Sequence, residues 1–412
     1  MVRSGWRSGL IAVAGALSAS AALADPAPAV KARAVRLSEA KIDFEVTSVE
    51  RGPFISPNGK VMATVHSGGV RLRTLFDGRP MEMENAAECS CASFGSDSQT
   101  IIAGTTDGHV MLLKLSSDGA AYNAVRSVEV SPGVPITFVA LGGTSVCGWR
   151  DEKGAGGAAD MTAGRPLASI ARVLTDNGRD DEHTMAFTPD GSRLLFVGGV
   201  KPDDPGALTV LNVRTGAAEG RMEILAGDRT PGWRLMPDGF VIAGAPVAGK
   251  PGQRRIAQWD LAAPGENEAG GRATIGDGAV ADSGRVMDLW ISADRRWLLE
   301  SGSADPVRGP RVYDLSAPRA PGRRVTGAGA PLGVDGLSSI AFATAPNPGD
   351  APVVLDCASG EVIANVPCLT GRALDRLGGT RIPQILVARW TIPAGKDGAK
   401  QAPTVGVLLL DQ

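Results

Sequence analysis

Phe187-Thr188-Pro189-Asp190-Gly191-Ser192-Arg193-Leu194-Leu195-Phe196-Val197 is the stretch on which the fold turns. A short apolar segment runs into Pro-Asp-Gly, and a second apolar segment leaves it. Proline presets the entry dihedral and Asp-Gly supplies the positive φ that a tight hairpin needs, so the stretch reads as two antiparallel strands. The same arrangement recurs as Phe54-Ile-Ser-Pro57-Asn58-Gly59, Phe94-Gly-Ser-Asp97, Leu235-Met-Pro237-Asp238-Gly239 and Ile291-Ser-Ala-Asp294. Each is followed by a third apolar segment that ends near an acidic or amide residue, as in Phe76-Asp77, Leu211-Asn212, Trp259-Asp260 and Tyr313-Asp314. A turn such as Arg214-Thr-Gly216 then leads to a more polar fourth segment.

Second strands are expected to begin near residues 61, 101, 145, 194, 240, 297, 339 and 385, at intervals of 40 to 57 residues. Such spacing marks a repeat architecture in which each unit is a four-stranded blade. The expectation is an all-β, closed β-propeller of eight blades, or of seven if the third unit, interrupted by the Gly/Ala-rich Lys153–Gly164, is an insertion. The last unit stops at its third strand. A strand-like segment, Ala29 to Leu37, is unassigned at the N-terminal side, and a ring must close to leave no open edge. That segment is therefore expected to complete the last blade.

Composition agrees. Among 412 residues there are 54 Gly and 28 Pro, well above the roughly 12% that the pair usually contributes, which fits many tight turns. The formal net charge of −2 offers no basic field for nucleic acid. Arg3 and Arg7, the apolar stretch Leu10 to Leu23 and Ala22-Leu23-Ala24 before Asp25 have the parts of a secretory signal peptide. The apolar stretch, about 14 residues, is short of the ~20 that span a bilayer. The expected domains are thus a signal peptide at 1–24 and a single propeller at 25–412, periplasmic or secreted, monomeric, and without membrane insertion after cleavage.

The chain resembles the WD-repeat and related bacterial propeller superfamily. Trp259-Asp260 is the literal dipeptide, with Tyr313-Asp314, Phe76-Asp77 and Leu410-Asp411 in its place elsewhere. The Gly-His pair occurs only as Gly108-His109, at the start of a third strand. The resemblance therefore implies a fold with most of the family's buried polar network missing, and it implies no activity.

Candidate site residues lie on the loops expected to ring the channel. His66 and His109 fall in or just after second-to-third-strand loops, and His183 follows the acidic run Asp180-Asp181-Glu182. Lys250, Arg254, Arg255 and Arg308 form a basic sector on the same face, suited to a polypeptide with patterned charge. No Gly-x-Ser-x-Gly elbow or phosphate-cradling loop is present. Cys89-Ser-Cys91 has no second ligand pair nearby, and five cysteines do not make a disulfide framework. The expected function is a non-catalytic scaffold for a protein partner, without cofactor or metal. The alternative is a propeller hydrolase or lactonase using channel-mouth Asp, Glu and His.

Overall fold

The computed structural model describes residues 26–174, 185–188, 190–200, 207–222, 233–235, 240–246, 254–260, 273–274, 289–292, 296–300, 310–317, 320–335, 337–380, 382–391 and 403–410. Apart from one α-helix, Pro26–Ser38, and short 3-10 turns, the regular structure described is β-strand. None of the described helices is long and apolar enough to cross a membrane.

The strands fall into consecutive four-stranded antiparallel units. Unit one is Arg51–Ile55, Val61–His66, Gly69–Thr74 and Pro80–Met83; unit two is Cys89–Phe94, Thr100–Thr105, His109–Leu115 and Ala121–Glu129. A short parallel pairing, Glu82 with Ala121 and Met83 with Tyr122, joins these two into one eight-stranded sheet. Unit three is Ile136–Gly142, Val146–Asp151, Gly156–Asp160 and Arg165–Ile170. Unit four follows from Met185–Phe187 to Ala218–Met222 and carries a short fifth strand, Arg172–Val173, paired with Arg193–Gly199. Unit five runs from Trp233–Leu235 to Ala273–Thr274, and unit six from Leu289–Ile291 to Arg323–Arg324. Unit seven runs from Pro331–Val334 to Glu361–Asn365, and the last unit has Ala373–Gly379, Ile385–Thr391 and Thr404–Leu409.

Strands one and three of a unit run in the same direction. The hairpins between strands two and three therefore share one end with the links between units, here called the link end. The one-to-two and three-to-four hairpins occupy the opposite, turn end. At the turn end the repeat explains itself chemically. Ser56 Oγ, Thr188 Oγ1 and Ser292 Oγ each accept a hydrogen bond from the backbone N–H five residues on, at Val61, Arg193 and Trp297. Gly59 and Gly191 take φ of +72° and +69° at the tips, the region that favours glycine. At the three-to-four hairpins the acidic or amide residue closes an Asx turn. Asp160 Oδ1 accepts from Thr162 and Ala163, Asn212 Oδ1 from Arg214 and Thr215, and Asp356 Oδ1 from Ala358.

Burial follows position within the unit. Second strands are buried along their whole length in Val61–His66, Thr100–Thr105 and Ile340–Ala343, because neighbouring sheets cover both faces. Fourth strands such as Glu361–Asn365 are largely exposed. The cores lie between units: Val61, Ala63 and Leu72 of unit one pack with Ile101, Ala103 and Leu113 of unit two. Between units two and three, Ile102 and Leu112 pack with Val139 and Trp149.

Unit three, expected to be the weakest, is a complete four-stranded sheet. Its Gly156-Gly157-Ala158-Ala159 segment is a strand because small residues make room for Trp149. A Cβ at Gly157 would stand 3.1 Å from the Trp149 ring and 2.2 Å from Ala168 O.

The N-terminal expectation is corrected. Ala29–Leu37 is not a strand but belongs to the helix Pro26–Ser38. Val30, Arg33, Ala34 and Leu37 recur at helical spacing and form its covered side, with Leu37 in the core of unit seven and the last unit. The strand that completes the last unit comes next, at Lys41–Val46. It pairs antiparallel with Thr404–Leu409 from Lys41 opposite Leu409 to Val46 opposite Val405. Val405 and Val407 of that unit pack with Met62 and Leu75 of unit one, and Arg389 Nη1 donates to Gly52 O at 3.1 Å.

Candidate functional site

Of the residues expected at the link end, His66 and His109 are described with their side chains. Asp180, Asp181, Glu182, His183, Lys250 and Arg308 lie outside the described residues. Arg254 and Arg255 do not sit in a loop as expected. They open strand Arg254–Asp260, because the pairing with the preceding strand extends to Arg254 opposite Pro246 and Arg255 opposite Ala245.

His66 closes the second strand of unit one and is 5% exposed. Its Nε2 lies 2.9 Å from Thr64 Oγ1. Burial, then the nearby Arg71, lowers its pKa below the ordinary 6.5, while a backbone contact with Ser48 acts the other way. His66 is therefore a neutral imidazole held inside its own hairpin. His109 opens the third strand of unit two, with Nδ1 3.1 Å from Asp107 Oδ1. Its backbone N–H donates to Thr105 Oγ1 at 2.8 Å, and that hydroxyl in turn donates to Asp107. This hydroxyl, above all, holds the Asp107 carboxyl below the usual range.

His109 is thus engaged within its own unit, and His66 between its own hairpin and Ser48 of the preceding link. Among the described residues, no group of three or more His, Cys, Asp or Glu stands in metal-holding geometry. Asp151 has the corresponding place in unit three and is 3% exposed. It accepts from Ser131 Oγ in the preceding link at 2.8 Å and from the Ala155 N–H across the hairpin at 2.9 Å. A buried polar contact at this position is therefore present in units one and three, with different residues in each.

Among the described residues a concave site lies elsewhere, on the inner strands. A cavity of about 290 Å³ is lined by Arg51, Phe54, Ile55 and Pro57 of unit one, Cys91 to Phe94 of unit two, Thr137 to Ala140 of unit three, and Met185 of unit four. First strands are the innermost of each blade, so these side chains meet where the units converge. Arg51 Nη1 donates to Thr137 O. Arg150 Nη1 donates to Thr137 Oγ1 at 2.7 Å, with its Nε bonded to Val173 O at 3.2 Å. Two guanidinium groups therefore converge on Thr137 at the cavity wall. Among its described lining residues there is no carboxylate and no imidazole. The sequence carried a signal for it in the recurring Phe of the strand-one motif, Phe54 and Phe94. The partnership of Arg51 with unit three is a contact over 86 residues that no local pattern announces.

The turn end has a different character. Phe76 is 72% exposed at the tip of the three-to-four hairpin of unit one, and Leu337 is 44% exposed in the one-to-two hairpin of unit seven. Val35, 56% exposed, is on the helix that Arg33 ties to Asp335 at that same end.

No protein-family model matches the chain, and no curated protein does. Among solved structures, the computationally designed Ika8 protein superposes with a TM-score of 0.54 at 15% identity, over 89% of this chain and 99% of that one. A chain of the mitotic checkpoint complex gives 0.49 at 11% identity over 90% of this chain and 92% of that one. The β-propeller domain of Cps50 (Swd1) from Myceliophteria thermophila gives 0.49 at 11% identity over 90% of this chain and 100% of that one. Identities this low speak to fold alone. The fold itself is read from the sheets: consecutive four-stranded antiparallel units, each packed on the next, are the architecture of a β-propeller.

Proposed function

We propose that the chain is an exported, eight-bladed propeller that works as a scaffold for a protein partner rather than as a catalyst. Eight blades follow from counting the eight-stranded sheet as two units and giving Lys41–Val46 to the last unit. Export rests on Arg3, Arg7, the apolar stretch to Leu23 and the Ala-Leu-Ala exit, just ahead of the helix at Pro26–Ser38.

The observation that carries the scaffold reading is the set of large apolar groups exposed among the described residues: Phe76, Leu337 and Val35 belong to the turn end, and Val125 and Val362 lie on fourth strands. Large exposed apolar and aromatic side chains on a rigid frame suit the anchors of a protein interface. The partner is accordingly a polypeptide presenting an apolar surface, received by the hairpin tips of the turn end.

A photo-crosslinking residue at Phe76 tests the reading against the same residue at His109, on the link end. Capture of one defined protein from the cell envelope at position 76 and not at 109, lost on Leu337→Asp, supports it. Equal capture at both positions, or none at 76, would sink it.

A further inference from the structure

The one-to-two hairpin of unit one turns on Asn58-Gly59, and the sequence has one other Asn-Gly pair, Asn177-Gly178, outside the described residues. Asn58 is exposed at the tip. Its Oδ1 accepts hydrogen bonds from Ser56 Oγ at 2.8 Å and from the Lys60 N–H at 3.0 Å. The second bond closes an Asx turn around the Gly59 peptide, so the carboxamide is folded back over that peptide. Both donors polarise the carboxamide and support negative charge on Oδ1, the arrangement that favours addition to a carbonyl carbon. Gly59, with φ of +72° and no Cβ, leaves its nitrogen open to approach.

Two hydrogen bonds hold the backbone here in place. The Gly59 N–H donates to Ser56 O at 2.7 Å, and the Asn58 N–H donates to Ser98 Oγ of unit two at 2.8 Å. Ser98 is 4% exposed, so this anchor is fixed between the two units. We propose that Asn58-Gly59 is a site of spontaneous covalent modification, gated by the bond to Ser98. The Gly59 nitrogen loses its proton and bonds to Asn58 Cγ, the Cγ–Nδ2 bond breaks, and ammonia leaves with that proton. Water then opens the cyclic imide. Attack at Cγ gives aspartate at position 58, and attack at the main-chain carbonyl gives isoaspartate. The aspartate product matches Asp190-Gly191 of unit four, where Asp190 Oδ1 accepts from Thr188 Oγ1 and the Ser192 N–H. It therefore keeps the hairpin while adding one negative charge to the turn end. Isoaspartate lengthens the main chain at the tip. The reaction needs only water and holds whether or not a protein docks there.

Storage of the folded Asn177→Gln chain at mildly alkaline pH tests it, followed by ion-exchange separation and peptide mapping. That background silences the other Asn-Gly pair. An acidic species should accumulate, with aspartate and isoaspartate mapped to position 58, and adding Asn58→Gln should abolish it. Ser98→Gly suits the φ of +58° there and removes the hydroxyl. It should speed the conversion about fivefold, the scale of one neutral hydrogen bond. Hydroxylamine, which attacks the cyclic imide, should cut the stored chain between Asn58 and Gly59, and it serves alone if Ser98→Gly fails to fold. No conversion and no cut at Asn58, an acidic species that survives Asn58→Gln, or a rate unchanged in Ser98→Gly would each overturn the proposal.

Discussion

Arg33 Nη2 stands 2.9 Å from Asp335 Oδ1, and Arg33 Nε 3.3 Å from Oδ2, although the residues are 302 positions apart. Asp335 is fully buried and Arg33 8% exposed. Ser338 Oγ adds a hydrogen bond to Oδ2 at 2.6 Å, and Arg33 Nη1 donates to Pro383 O in the last unit. One side chain of the N-terminal helix therefore holds two units at the turn end. Removing it leaves a buried carboxylate without its counter-charge, a change that costs about 3–5 kcal/mol in comparable sites. Arg33→Ala should lower the denaturation midpoint accordingly, and Arg33→Met with Asp335→Leu should recover a large part of the loss. A double-mutant cycle in urea measures both. A single-variant effect below about 0.5 kcal/mol would show that the clamp holds nothing.

Thr188 and Asp190 make the acid limb of stability testable at one hairpin. Hydrogen bonds from the Thr188 and Ser192 hydroxyls bring the Asp190 carboxyl down to about 2 from its ordinary 3.8. A depressed carboxylate stabilises the fold above the unfolded value, and that contribution fades as pH falls from near 3.8 through about 2. Thr188→Val removes the first-ranked of these bonds and also the acceptor for the Arg193 N–H. The Asp190 pKa should rise toward 3.8 in a carboxyl NMR titration. Stability at neutral pH should drop by about 1 kcal/mol. An unshifted titration would contradict the assigned cause.

These turns are also where the sequence was most legible. Pro-Asp-Gly, the hydroxyl ahead of it and the acidic residue ending strand three act within five residues, so their chemistry is visible in the chain. The four-strand rhythm follows from them. The N-terminal segment was misread because Ala29–Leu37 carries apolar residues compatible with either period. What selects the helix is Arg33 finding Asp335 and Leu37 finding the core of unit seven and the last unit, and both lie 300 residues or so away. The candidate site was legible only in part. His66 and His109 are on their predicted hairpins, yet the structure does not bring them together: His66 Nε2 lies beside Thr64 and His109 Nδ1 beside Asp107. The cavity wall is assembled from four units, so no single repeat displays it.

Gly406 shows how closely the last unit is packed. A Cβ there would fall 2.2 Å from Trp390 Cη2 on the adjacent strand. Trp390 is 1% exposed in the core and carries Arg372 over its ring at 4.1 Å, so it has little room to move aside. Gly406→Ala is therefore expected to destabilise by about 1–3 kcal/mol through overpacking, despite the better strand propensity of alanine. Pairing it with Trp390→Phe should remove most of that cost, because the clashing atoms belong to the six-membered ring of the indole. If the pair is no more stable than Gly406→Ala alone, the cause is backbone rather than contact.

The five cysteines give a last prediction. None is in a disulfide; Cys89, Cys91, Cys147 and Cys357 are buried and Cys368 is partly exposed. Burial pushes the Cys89 thiol up to about 12 and raises Cys147 well above its ordinary value, and it raises Cys368 as well. Since the thiolate is the reactive species, the native protein should react slowly with Ellman's reagent at pH 8. Access then sets the order, with Cys368 ahead of the other four. Cys368→Ser should remove the first phase of the reaction, and denaturant should release the remainder together. Rapid modification of Cys89 in the folded chain would mean that unit two opens at its first strand, where Cys89 pairs with Thr105. The four buried thiols thus report on the integrity of the units that enclose them.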